Sequence, residues 1–222
     1  MFKLNLQFFG GRGARSASAG RYAGGGDVNP ANIVSTRSLI SEREGSQELV
    51  DETMEVFKDV YQEYGTVLGD IQLAELKGKE MSTLAYYDHA NIAINQAFFN
   101  KNMEKAMKDS VKSGFHPKMG NKTAIQAVVA HELGHKLTTD VGVKMGLNGL
   151  KDYDAIATQI VKEARKSTKH RGVVQMASKI SKYATASNAE AIAEAFSDVY
   201  CNGKKAASES KAIMNVVNKY LK

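Results

Sequence analysis

The chain has a single cysteine, Cys201, in 222 residues. One thiol cannot form an internal disulfide framework, and it cannot build a thiolate zinc cluster. Nothing around Cys201 suggests an activated nucleophile, so it reads as a small residue near a helix end. No apolar run approaches the roughly 20 residues that span a bilayer. The opening Met1–Gly10 holds one basic residue and an apolar stretch interrupted by Asn5 and Gln7, so no secretion signal and no membrane span are expected. There is no internal repeat. Aromatic and basic residues do not interleave in the way a dedicated nucleic-acid site requires.

What remains is ordinary for a soluble globular protein: 43% hydrophobic and 24% charged residues, enough for one domain with a real core. The net charge of +6 is concentrated late in the chain, at Lys162, Arg165, Lys166, Lys169, Arg171, Lys179, Lys182, Lys204 and Lys205. These read as solvated helix faces, with weak contact to nucleic acid as the alternative use. Residues 10–26 are Gly, Ala, Ser and Arg, a composition that cannot bury a core. Residues 1–29 are therefore expected to be a flexible arm ending in an apolar peptide (Leu4, Leu6, Phe8, Phe9), suited to docking on a partner. Residues 30–222 form the expected domain.

Its pattern is mostly helical with a little strand. An amphipathic helix is expected over 47–64, with Val50, Met54, Phe57, Tyr61 and Tyr64 at helical spacing. β-like stretches follow at 67–76 and 84–95, the second able to fold into a hairpin at Asp88-His89-Ala90-Asn91. Helices are expected at 97–111, from the Thr123 capping box to about Thr138, and at 153–165, 173–180, 188–200 and 208–221, with a loop at Gly142, Gly146 and Gly149. The fold class is α+β, mostly helical with a small β-sheet.

The chemistry starts at His131-Glu132-Leu133-Gly134-His135. Histidines four apart on a helix point the same way, one turn above the other, and together can hold one Zn²⁺ with Glu132 beside it. Such a site needs a third ligand. Glu190, Glu194 and Asp198 fall on one face of the 188–200 helix, and three stacked carboxylates repel unless a cation or donors compensate. Two registers are open. Either Glu190 binds the metal and Glu194 orients a histidine from behind, or Glu194 binds it and Asp198 orients. His116, next to Pro117, reads as a turn residue; His89 and His170 are given no role.

The stretch Ser181 to Phe196, with Tyr183, Asn188-Ala189-Glu190 and Ala193-Glu194-Ala195-Phe196, resembles the ligand helix of the lethal-factor-like zinc metalloproteases, and His131–His135 fits that family's active-site helix. The resemblance covers about 86–198 and implies a zincin-like domain: an active-site helix and a second ligand helix holding Zn²⁺ through His131, His135 and Glu190. It further implies Glu194 behind the ligands, Glu132 as general base, and Tyr183 as donor to the transition state of peptide hydrolysis; Asp198, on the same helical face, is read as a further residue behind the ligands. The 84–95 stretch would then be the edge that pairs with an extended peptide or protein substrate. The leader Lys3–Gly11 is similar to the start of head and tail structural proteins of phages of Gram-positive bacteria. The 87–117 block and the His131 helix resemble domains of phage minor head proteins. This implies a virion-associated or host-cytoplasmic protein whose leader engages capsid, portal or other virion components. The competing reading is a minor head or ejection protein with a structural or vestigial zinc site.

Overall fold

A computed structural model of the chain describes residues 47–67, 71–74, 82–89, 91–99 and 101–222. The expected arm at 1–29 lies outside them. The described elements are α1 (Gln47–Tyr64), β1 (Ile71–Ala74), β2 (Ala85–Tyr87), β3 (Ile92–Asn95), α2 (Lys101–Lys112), α3 (Ala124–Lys144), α4 (Tyr153–Lys166), α5 (Val173–Ala177), α6 (Asn188–Asn202) and α7 (Ser208–Leu221), with short 3₁₀ turns at Tyr183–Thr185 and Gly203–Lys205. The molecule is a mostly helical α+β fold, as its pattern predicts.

The three strands form one mixed sheet in the order β1-β3-β2. β3 lies in the centre, and all four of its side chains are buried, as a strand covered on both faces requires. β2 runs antiparallel to it, with Tyr86 opposite Ala93, and forms one edge. The hairpin turn is closed by the Asn91 amide donating to Asp88 Oδ1 at 2.6 Å, and it holds His89 at φ +75°.

α3 is the axis of the fold. The reciprocal capping box of Thr123 and Gln126 starts it, and it is buried on almost every side because α1, α2, β2, α4, α6 and α7 all pack on it. A helix enclosed in this way shows little amphipathic contrast. α3 also outruns its expected end at Thr138. Gly142, read as a loop residue, lies inside the helix, where a Cβ would stand 2.2 Å from Ile156 Cδ1 of α4. The glycine permits close packing here and does not break the helix. In α1 the inward face is Val50, Thr53, Val56 and Val60. It is rotated from the expected stripe, and Tyr61 is left 40% exposed. The helix expected over 173–180 stops at Ala177.

The crossing of α3 and α6 positions the site. A Cβ on Gly134 would lie 2.6 Å from the Ala193 Cα and 3.2 Å from the Phe196 Cβ, so the two backbones meet where only glycine fits. The Ser197 hydroxyl donates to the Ala127 carbonyl at 3.0 Å and fastens the same crossing one turn on. α7 is tied to α6 through Asp198. Its Oδ2 accepts from the Ala207 amide (2.9 Å) and the Ser210 hydroxyl (2.6 Å), and its Oδ1 from Asn202 (2.8 Å).

Replacing glycine by alanine in an exposed helix gains about 1 kcal/mol. At this crossing the sign is expected to reverse. Gly134→Ala should destabilise by about 1–3 kcal/mol through overpacking, read as a lower denaturant midpoint. An unchanged or raised midpoint would show that the helices do not meet at Gly134.

Candidate metal centre

One turn of α3 presents His131 and His135, and the first turn of α6 presents Glu190. Ser187 caps α6, its hydroxyl accepting from the Glu190 amide, which fixes the start of that helix opposite the two imidazoles. The three side chains are buried, and one ligand atom from each lies within 4.8 Å of the other two. Glu190 Oε2 is 3.2 Å from His131 Nε2 and 3.5 Å from His135 Nε2. Tetrahedral bonds of about 2.0–2.1 Å hold neighbouring ligand atoms about 3.3 Å apart, so the observed spacing, which is also that of an ion pair, fits atoms around one small cation. Three buried groups of this kind could hold a metal ion.

The other ring nitrogens face away and are held from behind. His131 Nδ1 lies 2.8 Å from Glu194 Oε1, and His135 Nδ1 lies 2.8 Å from the Tyr153 hydroxyl at the start of α4. In the tautomer that leaves each Nε2 lone pair for a cation, Nδ1–H donates to these oxygens, the usual means of orienting a metal-binding imidazole. Glu194 also takes a hydrogen bond from the Ser181 hydroxyl at 2.6 Å and faces His116 Nδ1 at 2.9 Å.

The structure places the acids of the two registers differently. Glu190 stands with the Nε2 atoms, and Glu194 stands behind His131. The orienting role read for Asp198 does not hold. Its Oδ2 joins α6 to the start of α7, two turns beyond Glu190, because the chain reverses there and brings the Ala207 amide and Ser210 onto it, while its Oδ1 accepts from Asn202 within α6.

Glu132 is buried beside the donors, and its Oε1 has no hydrogen-bond partner among the described residues. Burial raises its pKa. The neighbouring His131 and His135 oppose that rise, Glu190 adds to it, and the Tyr87 backbone of edge strand β2 counters it. A buried carboxyl with one unsatisfied oxygen and a raised pKa is suited to exchanging a proton. The Tyr183 ring stacks on His131, with centroids 5.8 Å apart. Burial, followed by the charges of Glu190, Glu132 and Glu194, pushes its phenol far above the usual range, so it stays protonated as a hydrogen-bond donor.

With no cation bound, charge within the cluster is balanced by protons. Burial disfavours charge on His131, but Glu190 and Glu194 overcome it and raise the imidazole pKa well above its ordinary 6.5. Burial likewise opposes ionisation of Glu194, and His116 and His131 overcome it, bringing the carboxyl down to about 2. Glu190 is lowered too, with His135 and His131 outweighing its burial.

The sequence reading missed three residues here: His116, Ser181 and Tyr153. His116 is 78 positions from Glu194 and carried no spacing signal. Tyr153 was visible only as a helix start. His89 packs edge-on between Tyr87 and Tyr153, at 5.7 Å from each ring. His170 joins the loop before α5 to Glu209 of α7 at 2.7 Å, outside the cluster. Burial pushes the Cys201 thiol up to about 12, in keeping with an unreactive core position.

Compared with known proteins, the chain matches no family model, no curated protein and no solved structure.

The shifts set a pH profile for the metal-free protein. The carboxylates with lowered pKa contribute stability above their ordinary 4.5 that is lost as pH falls toward about 2. The raised His131 contributes stability below 6.5 that is lost as pH climbs through its folded value, and the raised Glu132 adds to that alkaline loss. The melting temperature without metal is therefore expected to peak between about pH 4.5 and 6.5 and to fall on both sides. Zinc should remove the alkaline fall, because it replaces the proton on the ligand nitrogens. A metal-free melting temperature that keeps rising above about pH 7 would contradict this balance.

Proposed function

We propose that this chain is a zinc-dependent endopeptidase with a zincin-like active site. The observation that carries the proposal is the convergence of His131, His135 and Glu190, one ligand atom of each within 4.8 Å of the others, beside a buried Glu132 carboxyl oxygen with no hydrogen-bond partner among the described residues. A purely structural zinc site closes all four positions with protein ligands and needs no base beside it. Here there are three ligands and a base. The set of two histidines and a carboxylate favours zinc among the common divalent ions.

Zinc held there would acidify a water molecule and polarise a scissile carbonyl. Glu132 takes the proton of the attacking water and delivers it to the departing amine, a role that its raised pKa favours. Tyr183, kept protonated by its surroundings, donates a hydrogen bond to the oxyanion of the tetrahedral stage. Glu194 and Tyr153 hold the imidazoles in the tautomer that ligation needs. β2 is an edge strand packed against α3, which suits main-chain pairing with an extended peptide. The agreement of these positions with the pattern of the lethal-factor-like proteases supports the same reading.

The proposal extends to a phage- or prophage-encoded protein that associates with virions. This part rests on the resemblance of Lys3–Gly11 to phage head and tail proteins and is independent of the metal site. Among the described residues no helix is long and apolar enough to cross a membrane.

Glu132→Gln should leave zinc content unchanged and lower peptide cleavage by about 10²–10⁴-fold, the usual contribution of a general acid–base group. Cleavage assays on parent and variant at equal zinc occupancy check this, and equal rates would refute the role of Glu132. Removing residues 1–29 should abolish incorporation into phage particles and leave zinc binding intact. Undiminished incorporation would refute the docking role of the leader.

A further inference from the structure

The segment Gly114-Phe115-His116-Pro117 lies between α2 and α3, 78 positions from Glu194 at its His116, yet it is built into the back of the metal centre. Its backbone pairs with the stretch that carries Tyr183. The Lys182 amide donates to the Gly114 carbonyl and the Tyr183 amide to the Phe115 carbonyl, each at 3.0 Å. The Phe115 ring stacks on Tyr183 with centroids 5.0 Å apart. The His116 imidazole, 7% exposed, stands edge-on to Phe115 at 5.1 Å and to Tyr183 at 5.4 Å.

From this frame His116 Nδ1 reaches Glu194 Oε1 at 2.9 Å, and the same oxygen is 2.8 Å from His131 Nδ1. One carboxylate oxygen therefore serves two imidazoles, and Ser181 takes the other oxygen. A carboxylate buried to this depth keeps its charge and direction only if its lone pairs are engaged. His116 does not belong to the metal-ligand group, and with Nδ1 directed at Glu194 it acts one residue further out.

We propose that His116 is a positioning residue of this centre, fixing Glu194 so that Glu194 holds His131 Nε2 in the direction that metal binding requires. The inference rests on the metal-centre reading above. The Gly114–His116 segment thereby ties the placement of Tyr183 and of His131 to one rigid piece of backbone.

Asparagine carries an amide nitrogen at the branch position of His116 Nδ1, so it can restore the hydrogen bond without the ring. Leucine keeps apolar bulk and loses the donor. Zinc affinity of the full-length chain, measured by competition with a chelator of known affinity, separates the two contributions. His116→Leu is expected to bind zinc about 10- to 100-fold more weakly than the parent, the usual cost of removing such a partner, and His116→Asn to stay within about threefold of it. Should His116→Leu fail to fold, His116→Gln takes its place. Its amide is displaced by one methylene and should lose affinity where Asn keeps it.

Parent-like zinc affinity in His116→Leu (or in His116→Gln where that takes its place) overturns the proposal. So does His116→Asn binding as weakly as His116→Leu or His116→Gln, which would reduce His116 to packing. If the parent itself takes up no zinc, the metal-centre reading falls and this inference with it. A zinc-binding parent with an indifferent His116 sinks the inference alone.

Discussion

The fold is organised around a charge problem: two buried carboxylates, Glu190 and Glu194, sit one turn apart on α6 and face the histidines of α3. Neither carboxylate could remain ionised at that depth without a positive partner. His131 serves both, Nε2 toward Glu190 at 3.2 Å and Nδ1 toward Glu194 at 2.8 Å. Removing either acid leaves a buried imidazole with a lost partner, and removing His131 leaves Glu190 to His135 and Glu194 to His116 and Ser181. A divalent ion at the Nε2 side would relieve the same problem more fully than a proton does. In this sense a metal bound here would also stabilise the α3–α6 crossing.

That interaction depends on close approach, and Gly134 supplies it. The residue just before the second histidine is thus part of the packing as much as of the motif. Around the crossing the remaining elements have divided tasks. α4 brings Tyr153 to His135, the 181–183 turn brings Ser181 to Glu194 and Tyr183 to His131, and β2 lays its backbone beside Glu132. The polar groups at the centre are held from outside by elements that are themselves packed in the core, which keeps the donors aligned without reliance on mobile loops.

The parts of this arrangement that repeat at helical spacing were legible in the sequence. His131 and His135, the Glu190–Glu194 face and the mostly helical class follow from local periodicity, and the Thr123 cap and the 88–91 hairpin turn from capping and turn residues. Spacing could not choose between Glu190 and Glu194 as ligand, because both lie on one face. The choice is made by which imidazole nitrogen each acid meets across the crossing. Asp198 belongs to the same stripe, yet the chain reversal after α6 turns it to a different task. His116 was illegible for the opposite reason: it has no periodic partner and reaches the site only through tertiary structure. Gly142 misled because glycine breaks exposed helices but in a buried one can mark the approach of a neighbour.

The most direct test of the central claim is metal content by mass spectrometry on the purified full-length chain, with Glu190→Ala and Asp198→Ala prepared in parallel after growth with zinc supplied. The account predicts about one zinc per chain in the parent, its loss in Glu190→Ala, and its retention in Asp198→Ala, whose carboxylate joins helices and holds no ligand. A parent without zinc, or a site lost with Asp198 and kept without Glu190, would contradict it.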